Sequence, residues 1–138
     1  MEWTFTALGQ PVPQPRPRVS TRGGFARGYT PAKHPIHVYR QAVTLAAAAA
    51  GMPKVGGWFH FEMEAVFSRP QSHLRKSGLA KDAPLYPGHS CGDCDNIAKG
   101  VADSLPFADD TAIVRWLLSK RYAEPGEPAH TVVTVRRL

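Results

Sequence analysis

Gly92-Asp93-Cys94-Asp95-Asn96-Ile97-Ala98-Lys99, running on through Asp103 to Asp109-Asp110, is the stretch on which the reading of this chain turns. Ile97, Val101 and Leu105 recur every four residues, which predicts a helix over 95–105 with those three side chains facing a core. Asn96, Lys99 and Asp103 then share the opposite face, at spacings of three and four. Asp95 is a natural N-cap for this helix, and Pro106 ends it. Asp93 and Asp95 are two apart, so in extended backbone both carboxylates project to one side. Five aspartates fall within residues 93–110. Clustered anions repel unless a cation offsets them, and carboxylate oxygens suit hard divalent ions such as Mg²⁺ or Mn²⁺. Lys99, one turn beyond Asp95, is open to two roles. It can pair with Asp95 at i,i+4, for a few tenths of a kcal/mol, or hold a scissile phosphate and stabilise its transition state.

Outside this stretch the chain is cationic. Its formal net charge is +6, and no Asp or Glu occurs between Trp3 and Phe61, where Arg16, Arg18, Arg22, Arg27, Lys33, Arg40 and Lys54 all fall. Acids gathered at one place on a basic chain point to a metal-dependent site acting on a polyanion such as nucleic acid. The plainer alternative is a solvated basic face with no partner.

The rest of the pattern frames the site. Residues 1–138 are read as one domain. Residues 3–8 alternate as a short strand, and 58–67 are the clearest strand, with Phe59, Phe61, Met63, Ala65 and Phe67 on one face. Between them, residues 10–35 carry six prolines and are expected to form an irregular loop. A helix is expected over 38–50, from the alanine run 46–50 to Gly51. A second basic loop over 68–92 carries Arg69, Arg75, Lys76 and Lys81 into the aspartate motif. Residues 112–122 and 131–137 read as closing strands around the turn at 125–128. This order predicts an α+β fold, with two helices packed on one small mixed sheet.

Cys91 and Cys94 are the only cysteines, too few for a disulfide scaffold. As a C-x-x-C they raise a redox pair or a zinc site completed by His89 and His73, but two idle thiols are the simpler reading. No apolar run reaches membrane length and no signal-peptide pattern opens the chain, so the expected setting is cytoplasmic, away from membranes.

At these residues the chain resembles the RusA family of Holliday junction resolvases, metal-dependent endodeoxyribonucleases. The resemblance spans nearly the whole chain. It rests on the Pro/Arg segment over 9–18 followed by Tyr29-Thr30-Pro31, and on Phe67-Ser68-Arg69-Pro70-Gln71-Ser72-His73. Asp93-x-Asp95-Asn96-x-x-Lys99, Asp103-x-Leu105 and Asp109-Asp110 follow in order, with Lys120 and Tyr122 suiting the closing strand. It implies a RusA-like α+β fold, metal ligation by Asp93, Asp95 and Asp110, and an essential lysine at Lys99. Asp109 is a further candidate ligand, with Asn96 and Asp103 in support. It also implies a homodimer cutting opposed strands of a four-way junction, using Mg²⁺ (Mn²⁺ as substitute) and no small-molecule cofactor. Arg16, Arg18, Arg22, Arg27, Arg75 and Lys76 are the expected DNA-backbone contacts. Two departures stand out: Gly92 replaces the family's usual proline, and the Asp103–Asp110 link is shorter by roughly one helical turn. The alternatives are a branched-DNA-binding module that has lost its metal geometry, and a zinc-stabilised nucleic-acid-binding protein.

Overall fold

In chain order the elements are β1 (Glu2–Leu8), β2 (Arg18–Ser20), β3 (Arg27–Tyr29), α1 (Ile36–Ala49), β4 (Phe59–Phe67), β5 (Leu74–Arg75), β6 (Gly78–Leu79), α2 (Cys94–Asp103), β7 (Ile113–Tyr122) and β8 (His130–Arg137). The computed structural model describes residues 1–138 apart from Arg16, Pro17, Phe25, Val55, Ala108 and Asp109, and apart from the side chains of Arg18, Val19, Arg27 and Asp110.

The sheet has the order β1-β8-β4-β7. Strand β8 runs antiparallel to both of its neighbours, whereas β4 and β7 are parallel. A parallel pair needs a crossover, and α2 supplies it. The expected α+β fold, two helices on a mixed sheet, is therefore the one observed. Period-two patterning holds along β4: Phe59, Phe61, Met63, Ala65 and Phe67 are all buried, while His60, Glu62 and Glu64 alternate with them and are half-buried. Against the buried face α1 sets Ile36, Tyr39, Val43 and Ala47, and α2 sets Ile97, Ala98, Val101 and Ala102. Ile97, Val101 and Leu105 are all core residues, as their four-residue spacing predicted. Thr131 is the buried polar residue of this core among the described residues, and the Tyr39 hydroxyl meets its Oγ1 at 2.6 Å. Burial pushes the Tyr39 phenol up to about 12, with the Thr131 bond opposing the rise.

Three expectations are corrected. Residues 10–35 are not irregular throughout, because β2 and β3 pair as a hairpin, Arg18 opposite Tyr29 and Ser20 opposite Arg27. The prolines stop at Pro17 and resume at Pro31, which leaves a window in which a ladder can form. Gly23 and Gly24, with φ of 85° and 82°, turn that hairpin. The loop over 68–92 likewise contains the β5–β6 ribbon. Finally, α2 starts at Cys94, so its N-cap is Asp93 and not Asp95.

Candidate active site

The candidate site lies where the chain enters α2, beside the C-terminal half of β7. A one-turn helix at His89–Cys91 leads into Gly92, whose φ of 88° and ψ of 164° favour glycine. Proline, held near φ −65°, cannot adopt this conformation. A Cβ at Gly92 would also stand 2.6 Å from Pro13 Cβ. The N-terminal segment thus occupies the space that a side chain at position 92 would need. The Gly92 carbonyl accepts a 2.8 Å hydrogen bond from Lys120 Nζ. Next to it, Tyr122 is raised above the usual phenol range by burial and then by contact with the Cys91 thiol. The Arg69 guanidinium stacks over the Tyr122 ring at 5.1 Å and donates to the carbonyls of Ala123 (2.9 Å) and Pro84 (2.7 Å). His73 meets the same ring edge-on. This cluster pins the basic loop over 68–92 against β7 before the chain reaches Asp93.

Asp93 takes extended backbone (φ −83°, ψ 148°), yet its carboxylate makes no capping bond to the helix. It stays exposed, as do Asp95, Asn96, Lys99 and Asp103. Among the described residues, the Asp95–Lys99 pair that helical spacing permits is not one of the ion pairs. Instead Asp95, Lys99 and Asp103 border a cleft of about 480 Å³ whose other walls, among the described residues, are Ala102, Trp116 and Leu118.

Asn96 works differently from its neighbours. Its side-chain amide donates to the Gln14 carbonyl at 3.0 Å, and the Gln14 N–H donates to the Asn96 carbonyl at 3.3 Å. This reciprocal pair docks the Pro/Arg segment on the first turn of α2. Behind it, Gln14 Oε1 is buried against Gly100, where a Cβ would stand 2.9 Å away.

The expected site residues therefore separate into groups. Asp95, Lys99 and Asp103 border one cleft along α2, Asp93 stands at the helix N-cap, and Asn96 is turned to the Pro/Arg segment. Asp109 lies outside the described residues, as does the side chain of Asp110, whose backbone opens the turn Asp110–Ala112 leading into β7. Among the described residues no three His, Cys, Asp or Glu side chains form a metal-holding group, the set Cys91, Cys94, His73 and His89 included. Both cysteines are free thiols.

Of the expected DNA contacts, Arg22 is exposed at the β2–β3 turn, and Arg75 and Lys76 are exposed at the β5–β6 tip. Arg75 is partly committed to its own loop, donating to the Ser72 and Leu74 carbonyls at 3.3 and 2.9 Å. Arg16 lies outside the described residues. The backbones of Arg18 and Arg27 run in the β2–β3 hairpin, and their side chains are not described.

Pro13, Gln14 and Trp116 did not stand out in the sequence, and Lys120 was read only as suiting a strand. A lysine in register with the inward-facing Ala65 was the available signal, because a charge on the inner set of an alternating strand needs a partner.

The chain matches the model of the family described as endodeoxyribonuclease RusA over residues 9–136. The chain belongs to that family, and the class it brings is nuclease. It is also similar to a Bacillus subtilis (strain 168) protein described as "Uncharacterized protein YqaN", 32% identical over 127 residues and covering 87% of each chain. Among the described residues no helix is long and apolar enough to cross a membrane.

Proposed function

We propose that this nuclease is a metal-dependent, structure-selective DNA endonuclease that resolves four-way junctions by paired nicks. The observation that carries the reading is the set Asp93, Asp95 and Lys99, exposed and without ion-pair partners among the described residues, at the N-cap and first turns of the helix to which the Pro/Arg segment is docked. An uncapped Asp93 and an exposed Asp95 offer hard oxygen donors suited to Mg²⁺ or Mn²⁺. Asp93 and Asp95 would hold the ion, completed by Asp110 or its neighbour Asp109. The ion would supply a water of lowered pKa and neutralise charge growing on the phosphoryl oxygen. Lys99 holds the scissile phosphate and steadies the departing oxygen. Lys120 keeps the Asp93 turn in place through the Gly92 carbonyl, and Asn96 keeps the arginine-bearing segment beside it. Arg16, Arg18, Arg22, Arg27, Arg75 and Lys76 follow the DNA backbone, adding affinity with little sequence information. Two copies about a two-fold axis would match the symmetry of the junction and cut opposed strands.

One observation favours a second reading, a branched-DNA-binding module without cleavage. Asp110 enters the sheet at the Ile113 end of β7, whereas the Asp93 turn is tied to Lys120, towards the strand's other end. Strand-resolved cleavage of a synthetic four-way junction, beside linear duplex and with Mg²⁺ or chelator, separates the two. Paired Mg²⁺-dependent nicks in the junction alone are expected. Tight junction binding with no cleavage in Mg²⁺ or Mn²⁺ would replace the resolvase with the binding module.

A further inference from the structure

Trp116 occupies an unusual position for a large apolar side chain. On β7 it lies in register with Phe61, and so shares the sheet face that the helices cover. Yet β7 is an edge strand, and Trp116 remains 46% exposed. One side of its indole rests on the Phe61 ring, with centroids 5.0 Å apart and planes at 55°. The rest, with Ala102 and Leu118, makes the apolar wall of the cleft whose rim carries Asp95, Lys99 and Asp103. Exposing so much indole has a cost that packing on Phe61 alone does not explain.

The cleft pairs two chemistries: an ammonium that suits a phosphate, and a flat aromatic face beside it. A nucleotide carries the same two parts in the same adjacency. We propose that Trp116 is a stacking platform for one unstacked nucleobase of branched DNA, seated next to the phosphate that Lys99 holds. This rests on the nuclease reading above and adds a base-binding subsite to it. Branch points suit such a site, because bases there are already partly unstacked and cost less to turn out of the helix. Stacking on an aromatic side chain accepts any base, so the subsite adds structure selectivity without sequence selectivity. The cleft volume of about 480 Å³ is within the range of sites that enclose a small organic group.

Trp116 is one of three tryptophans, which makes its emission separable. The full chain carrying Trp3→Phe and Trp58→Phe, with chelator present to prevent cutting, is titrated with a four-way junction. A parallel titration uses the same junction made abasic at the crossover. Trp116 emission is expected to be quenched by the intact junction and much less by the abasic one, with affinity for the abasic junction lower by about tenfold. In the otherwise wild-type chain, Trp116→Ala should bind both junctions alike. Trp116→Phe, which keeps the packing on Phe61, should retain part of the discrimination. Equal quenching by both junctions overturns the subsite. So does quenching that grows with protein concentration without DNA, which would mean that a second copy covers the cleft. Junction binding in a mobility shift without any change in emission overturns the subsite alone. Absence of junction binding overturns the nuclease reading along with it.

Discussion

Two corners of this molecule concentrate charge, and they treat it in opposite ways. At the corner between β7 and β8, Arg121 makes a two-pronged contact to Glu127 at 2.7 and 2.9 Å, and its Nε reaches Glu64 at 3.3 Å. Glu127 also accepts the Glu124 N–H at 2.8 Å, closing the turn. The Arg121 hydrogen bonds, followed by the Glu124 N–H, hold the Glu127 carboxyl down at about 2, and Glu127 raises Arg121 in return. At the entry to α2, by contrast, the carboxylate of the N-cap Asp93 makes no capping bond, and Asp95 and Lys99 do not pair despite being one turn apart. Charges that satisfy one another hold a turn together. Charges the fold leaves open remain available to a cation and a phosphate.

Substitutions at the two corners should therefore fail in different assays. The largest effect is expected from Asp93→Asn, which should remove cleavage while leaving junction binding by mobility shift intact; an active variant would take Asp93 out of the metal site. Lys99→Met comes next, with a cleavage rate lowered by about a hundredfold or more at saturating DNA. Were Lys99 only a surface cation, that rate would hold and only affinity would fall. Gly92→Ala should destabilise by about 1–3 kcal/mol from backbone strain alone, and displace the Pro13 segment that its Cβ would strike. Thermal melting and DNA affinity should fall together. The smallest effect concerns Glu127. Its folded pKa of about 2 lies below the reference value of 4.5, so its contribution is fully present above that value and is lost as pH falls towards 2. Because its side chain is 26% exposed, this contribution is about 1 kcal/mol or less. Acid melts of Glu127→Gln should show a shallower loss of stability over that range than the unaltered protein.

The legible parts of the sequence were those where one face meets the core and the other meets water. β4 and α2 followed from period two and from the four-residue spacing of Ile97, Val101 and Leu105, because burial selects those periods. β7 was legible as a strand but not in its details. As an edge strand it leaves Val114, Trp116 and Leu117 exposed, so alternation does not single out Trp116. The β2–β3 hairpin was hidden by the prolines on either side of it. Asp93 and Asp95 both suit an N-cap, and the choice between them is made by the Gly92 conformation and the Lys120 bond, which depend on tertiary contacts. The docking of Gln14 on Asn96 joins residues 82 apart in sequence and leaves no local trace.

The difference between the corners is tested most directly by removing one negative charge from each and measuring junction cleavage in Mg²⁺. Asp95→Asn is expected to abolish the paired nicks, and Glu127→Gln to leave them at the unaltered rate. Cleavage surviving Asp95→Asn at that rate would contradict the assignment of the unpaired charges of α2 to the active site.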